Sequence, residues 1–458
     1  MGKIKYLVIA SAVLAAVAAT PLVISYNIDG EIEKNKTFLE KNGFKQELTN
    51  KQGYLQSTRD FTLEVVDAVK VRDYLLDMLV AKNEQYKLFA QSMKEIDPSE
   101  MNGAFNGLKF RGQIKHSNLL PEDSTISLIW DRLPHTLNNK EVNTIFAPLL
   151  SRGVIALDIT LDTRQKVKNV SARDIKEKIK IEDILLDIDT SGHTLALSED
   201  AGKVKGRMGV GKQNLQARSE AFILSSMMDN FAYDFTFKDD LNNQGSLALA
   251  KYRFELAEIE NQIELSFANL KATSMVEEKS DKLQLKADYA FDNIVFTNGV
   301  DDFKLQNFLA NFTLNGLNGA RIKKLQKAYN AYMLGSGTPS DEELINDFIG
   351  FVNDGVKLNL TVGIKGLSGI AEIKDILVDT TLELPKNNYN DKESPFGLVG
   401  LLDLNTKVKI HKDDRVTLEA MELTVPEDFA LGIPVGDYFV YEITMKQGAI
   451  SLNGKPVK

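Results

Sequence analysis

The stretch that most invites a chemical reading is Gly206-Arg-Met-Gly-Val-Gly-Lys212, whose glycines and closing lysine follow the skeleton of a phosphate-cradling loop. Such a loop needs a Ser or Thr after the lysine to hold Mg²⁺, and an apolar helix behind it to aim its positive end at phosphate. Here Gln213 follows, and Asn214-Leu-Gln-Ala-Arg218 has no apolar helical stripe, so a glycine-rich turn between strands is expected instead. His116, His135, His193 and His411 are far apart, with no i, i+4 pair, and show no metal-ligand spacing. Asp239 with Asp240, and Asp413 with Asp414, lie in charged stretches beside Lys and Arg, which reads as solvated loop rather than acid–base machinery. There is no Gly-x-Ser-x-Gly elbow. The absence of cysteine removes thiol catalysis, Cys-based zinc sites and iron–sulfur ligation. The sequence therefore offers no catalytic residue, no cofactor site and no metal site, and it points to a non-enzymatic protein. An envelope hydrolase is the one enzymatic alternative kept.

The elements that would carry any site begin with an uncharged run, Tyr6 to Tyr26 (YLVIASAVLAAVAATPLVISY). At about 1.5 Å per residue a helix of this length spans roughly 31 Å, close to one hydrocarbon core. Tyr6, Leu7, Val8, Ile9, Leu14, Val17, Leu22, Val23, Ile24 and Tyr26 are its expected membrane-facing residues. Lys3 and Lys5 precede the run, while Asp29, Glu31 and Glu33 follow it, which keeps the N-terminus in the cytoplasm and exports the rest. The expectation is a single-pass inner-membrane protein with its bulk in the periplasm. The competing reading is a signal peptide cleaved after Ala18. Asn35, in Glu33-Lys-Asn-Lys-Thr37, fits a bacterial glycosylation acceptor just outside the membrane. With 55 Lys and Arg against 64 Asp and Glu the chain is acidic, which argues against nucleic acid as a partner.

A chain of 458 residues exceeds one ordinary core. Three regions are expected: an anchor over 1–28, a mixed helix and strand domain over 29–150, and a β-rich domain over 151–458. In the second, Val71, Tyr74, Leu75, Met78, Leu79, Tyr86 and Phe89 follow helical spacing and predict one long amphipathic helix from about 66 to 96. In the third, period-two alternation dominates. Ile155, Leu157, Ile159 and Leu161 alternate with polar or small residues, and so do Leu283 to Phe291 and Leu402 to Ile410. Each such strand has one apolar and one solvated face, as in antiparallel sheet covered on one side. The predicted class is α+β, mostly β: a large meandering antiparallel sheet, curved, with a few covering helices behind one transmembrane helix. Two of those helices form a hairpin near 320–353, interrupted by Gly335 and Gly337.

A short pattern recurs in the β-rich region. Ile181-Glu-Asp-Ile-Leu185, Ile259-Glu-Asn-Gln-Ile263, Leu305-Gln-Asn-Phe-Leu309 and Ile373-Lys-Asp-Ile-Leu377 each place Asp or Asn among apolar residues. Their irregular intervals exclude a solenoid. Asp183, Asn261, Asn307 and Asp375 are therefore read as strand kinks or bulges in a curved sheet.

Several stretches together resemble a known set. They are the N-terminal anchor, Gly53-Tyr-Leu-Gln-Ser57, Asn311-Phe-Thr-Leu-Asn-Gly-Leu-Asn-Gly319 leading to Lys327-Ala-Tyr-Asn330, and Gly448-Ala-Ile-Ser-Leu-Asn-Gly454. In this order they look like the YdgA-like family of bacterial membrane-anchored envelope proteins of uncharacterised function. The resemblance implies an inner-membrane anchor and a periplasmic body, and it carries no catalytic residues. In style the amphipathic strands behind one anchor are also similar to AsmA-like envelope proteins implicated in lipid movement. Two functions are thus expected. One is a binder of a hydrophobic ligand, lipid above all, on an amphipathic sheet. The other is a structural or assembly protein that pairs with itself or with an envelope protein.

Overall fold

The computed structural model describes residues 36–51, 56–82, 87–117, 123–137, 140–164, 166–239, 241–258, 261–299, 302–333, 341–369, 371–390, 396–414 and 432–457. The protein is mostly β, with a large antiparallel sheet and few helices. The expected anchor and Asn35 lie outside the described residues, and among those described no helix is long and apolar enough to cross a membrane. The chain divides into two compact units, 1–198 with 208–211, and 199–207 with 212–458.

The first unit is a meander. β1 (Phe44–Lys51), β2 (Gln56–Val65), β3 (Lys109–Ser117), β4 (Ser124–Arg132), β5 (Ala156–Leu161) and β6 (Val167–Ala172) pair antiparallel in that order. Alternation sends Phe61, Leu63 and Val65 of β2, and Ile126, Leu128 and Trp130 of β4, into one buried cluster. Helices α1 (Ala68–Lys82), α2 (Lys87–Lys94), α3 (Pro98–Phe105) and α4 (Lys140–Arg152) belong to this unit. Ala68 and Val71 of α1 and Leu150 of α4 close the cluster. The unit runs on past residue 150 because β5 pairs with β4 and carries Ile159 and Leu161 into the same core. β7 (Ile175–Ile181) and β8 (Ile184–Ser191) form a hairpin, and β9 (Thr194–Asp200) pairs with β6.

The single long helix expected near 66–96 is instead two. Arg72 of α1 donates to the carbonyl oxygens of Met93 and Ile96 (3.4 and 3.1 Å), and Lys94 of α2 pairs with Asp77 of α1 (2.7 Å), so α2 packs back on α1. Arg72 thereby satisfies carbonyls that a helix end leaves open.

The second unit is built on unusually long strands. β10 (Lys203–Arg218) is shared between the units, and Gly206-Arg-Met-Gly-Val-Gly-Lys212 lies within it rather than in the expected turn. β11 (Phe222–Asp239), β12 (Asn242–Glu258), β13 (Gln262–Lys279), β14 (Lys282–Thr297) and β15 (Asp302–Asn318) follow as an antiparallel meander. Between β13 and β14, Ser280 and Asp281 both take positive φ (51° and 63°), the two-residue geometry that matches strand twist. The ladder continues through β16 (Val356–Ile364), β18 (Ile376–Leu384), β19 (Asp403–His411), β21 (Tyr438–Lys446), β22 (Ala449–Leu452) and β23 (Lys455–Pro456). Short β17 (Leu367–Ser368) lies beside β15, and β20 (Ile433–Val435) beside β21. Between β15 and β16 comes the helical hairpin, α5 (Gly319–Met333) and α6 (Asp341–Asp354), and a short α7 (Phe396–Val399) precedes β19.

Candidate functional site

Most apolar residues of β11 to β15 fall on one face, with Ile223, Met227, Met275, Val295 and Leu309 at the opposite parity, and this face is the feature of the second unit that its packing leaves unexplained. Phe231, Tyr233 and Phe235 of β11 stand opposite Leu249, Leu247 and Gly245 of β12. Leu285, Ala287, Tyr289 and Phe291 of β14 stand opposite Leu314, Phe312, Ala310 and Phe308 of β15. Leu314, Phe312 and Ala310 meet Leu358, Leu360 and Val362 of β16 in turn, and Leu358 and Val362 meet Leu382 and Val378 of β18. Phe291 and Phe308 stack with centroids 4.8 Å apart, and Tyr252 leans on Phe267 at 6.1 Å.

In a sandwich or a helix-covered sheet such a face would be buried. Here, among the residues of β11–β15, Leu283 alone is, while Phe237, Tyr289 and Phe296 remain 43%, 48% and 38% exposed. The first unit, by contrast, buries a full cluster around Trp130. The helical hairpin covers one end of the strands, where Leu241, Leu283 and Val352 are buried, and α5 and α6 each contact β15. Ion pairs hold its two helices together, Arg321 to Asp354 (3.1 Å) and Lys324 to Asp347 (3.0 Å), and Lys323 of α5 pairs with Glu278 of β13 (3.3 Å). Most of these side chains are half-buried, with Phe237, Tyr289 and Phe296 open to solvent.

No family model, curated protein or solved structure matches this chain.

The residues that invited chemistry have structural roles. Gly206 is close against Phe235, whose ring would meet an added Cβ at 2.1 Å, and no helix follows the glycine string, so the phosphate-loop geometry is absent from it. His135 packs its ring on Gly107, and His411 lies edge-on to Tyr438 with centroids at 5.5 Å. His116 is in β3, and His193 is in the turn before β9. Burial pushes the imidazoles of both below the ordinary histidine value. Among the described residues no group of three or more His, Asp or Glu could hold a metal ion. Asp239 accepts from the Leu241 amide and the Asn242 side chain, tying the β11–β12 turn. Asp414 is almost wholly buried and accepts the amides of Lys374 (2.7 Å) and Asp375 (2.8 Å). Asp413 pairs with Lys374, which holds its carboxyl below the usual carboxylate range. The Tyr438 hydroxyl donates to Asp375 (2.8 Å), which pushes the phenol up.

Of the four residues read as strand kinks, Asn307 lies inside β15 with φ +45°. The others do not bend strands. Asp183 sits in the two-residue turn between β7 and β8, Asn261 lies in the β12–β13 turn, its carbonyl accepting from Glu258, and Asp375 precedes β18. The motif misreads them because Asp and Asn serve turns as readily as bulges. Asn230 in β11 (φ +51°) and Asn269 in β13 (φ +52°) are the strand-interior positions it missed.

Proposed function

We propose that this chain is a membrane-tethered envelope protein that binds a hydrophobic ligand, an acyl lipid, on the apolar face of its second unit. The observation that carries the reading is a face of Phe, Tyr, Leu and Ile side chains running from β11 to β16 with almost none of it buried. The N-terminal apolar run and the resemblance to YdgA-like envelope proteins support the same address: inner membrane, body in the periplasm. A tether keeps the face within reach of lipid.

The reading makes a quantitative demand. Each methylene moved from water to the sheet contributes about 0.8 kcal/mol, or roughly fourfold in affinity. Saturated fatty acids of increasing length, titrated against the purified and delipidated full chain, are expected to bind with dissociation constants that fall about fourfold per methylene until the face is filled. Native mass spectrometry of the chain before delipidation is expected to show bound acyl lipid. An affinity independent of chain length, or no saturable binding at all, would remove the basis of the proposal.

A further inference from the structure

The long strands of the second unit share one irregularity, and it lies on a single line. In β11 Phe222, Leu224 and Met228 lie in the apolar rows before Asp229, with Ile223 and Met227 at the opposite parity, whereas Phe231, Tyr233, Phe235 and Phe237 hold those rows after it, so the apolar side changes parity across Asp229-Asn230. β12 changes across Ala250-Lys251, between Leu249 and Tyr252, and β13 across Ala268-Asn269, between Phe267 and Leu270. β14 changes across Asp292-Asn293 and β15 across Gln306-Asn307. These pairs are register neighbours: Asp229 faces Lys251, Lys251 faces Ala268, Ala268 faces Asn293, and Asn293 faces Gln306. Every second strand meets the line with a left-handed asparagine, Asn230, Asn269 and Asn307, while the other positive-φ residues that are not glycine lie at turns. Asn269 also donates to Asp292 of the neighbouring strand, along the line (2.7 Å).

At each crossing two consecutive residues occupy the polar side where regular pleating allows one. The polar side is thereby the longer arc, and the strands fold toward their apolar side. Apolar rows flank the line on both sides: Met228, Tyr252, Phe267, Ile294 and Leu305 on one, and Phe231, Leu249, Leu270, Phe291 and Phe308 on the other. We infer that this line is a crease that folds the apolar face into a trough, and that one long acyl chain lies along its floor, across the strands. The inference rests on the lipid-binding reading and adds the ligand's position and the residues that shape its site. Dimensions support it. Five strands at about 4.8 Å spacing give a floor of about 19 Å, comparable to one leaflet of a hydrocarbon core roughly 30 Å thick. Asparagine is suited to the crease because it enters the left-handed region more easily than other residues bearing a Cβ, and β-branched residues enter it least.

The test uses the full chain and a palmitate analogue with a photoreactive diazirine on its chain. Crosslinks are expected on residues flanking the crease in several successive strands, Tyr252, Phe267, Phe291 and Phe308 among them. Crosslinks strung along one strand, from Phe222 to Phe237, would overturn the transverse placement while leaving lipid binding intact. Failure of the probe to bind at all would instead strike the lipid-binding reading itself. A triple Asn230→Gly, Asn269→Gly, Asn307→Gly variant is expected to bind within about twofold of the parent. The corresponding Asn→Val triple is expected to bind at least tenfold more weakly with its far-ultraviolet circular dichroism retained. If the valine variant folds and binds like the parent, the crease does not shape the site. If it does not fold, the glycine variant and the crosslink map still decide.

Discussion

At the scale of single residues, the groups that could have been chemical are held in structural work, and histidine gives the clearest consequence. His193 is half-buried in the first unit, and burial lowers its pKa below the ordinary 6.5, against the opposing pull of Asp174. His116 is lowered by burial and, further, by Arg59. A depressed folded-state pKa means that the unfolded chain takes up the proton first. These side chains therefore contribute stability above the unfolded value, and that stability is lost as pH falls through 6.5 toward the folded value. The first unit is expected to lose stability between about pH 7.5 and 5.5, a window that lies above the range where carboxylates titrate. A His116→Gln, His193→Gln double variant is expected to flatten that loss. Chemical denaturation followed by Trp130 fluorescence at the two pH values measures it, and equal pH slopes in parent and variant would refute the assignment.

At the scale of elements, what the sequence made legible was periodicity, and what it hid was interruption. Alternation at Leu283 to Phe291 and at Leu402 to Ile410 forecast β14 and β19, because a half-exposed strand must declare its two faces. The pattern containing Asn307 found a true crossing of the crease, yet Asn230 and Asn269 escaped it. Their flanks, Met228-Asp-Asn-Phe231 and Phe267-Ala-Asn-Leu270, share the parity change but not the motif. A search for two consecutive polar or alanine residues between apolar ones would have found all five strands. Register between strands lies outside any single stretch, so only the fold could align those positions. The helical hairpin was legible from its apolar spacing and from a basic helix facing an acid-rich one, but which acid takes the cations was not. Asp347 is 7% exposed and meets Lys324 at 3.0 Å and Arg321 at 3.9 Å, so replacing it with asparagine removes charge-assisted contacts from a buried position. Asp347→Asn is expected to cost the hairpin about 1–2 kcal/mol. Hydrogen exchange should show faster exchange in α5 and α6 with β11 to β14 unchanged, and unaltered helix protection would mean that the ion pairs do not hold the two helices together.

At the scale of the whole molecule, length implied more than one compact unit, but the boundary was hidden because β5 and β6 continue the first meander without a linker or a change in composition. The two units differ in how they are packed. The first surrounds Trp130, 4% exposed, with a closed apolar cluster, whereas the second spreads its apolar residues over long strands and buries few of them. Burial sets the surface exposed on unfolding, so the units should differ in stability as well. The chain has one tryptophan, which makes its fluorescence a reporter of the first unit, while far-ultraviolet circular dichroism is weighted toward the longer strands of the second. In urea the two signals are expected to part, with circular dichroism falling first. A ligand that binds only the folded second unit adds about 2.7 kcal/mol at one hundred times its dissociation constant. Palmitate at that level should move the circular dichroism midpoint upward and leave the Trp130 midpoint where it was. Coincident transitions would contradict the difference in packing, and a palmitate shift in the Trp130 signal alone would place the lipid site on the first unit.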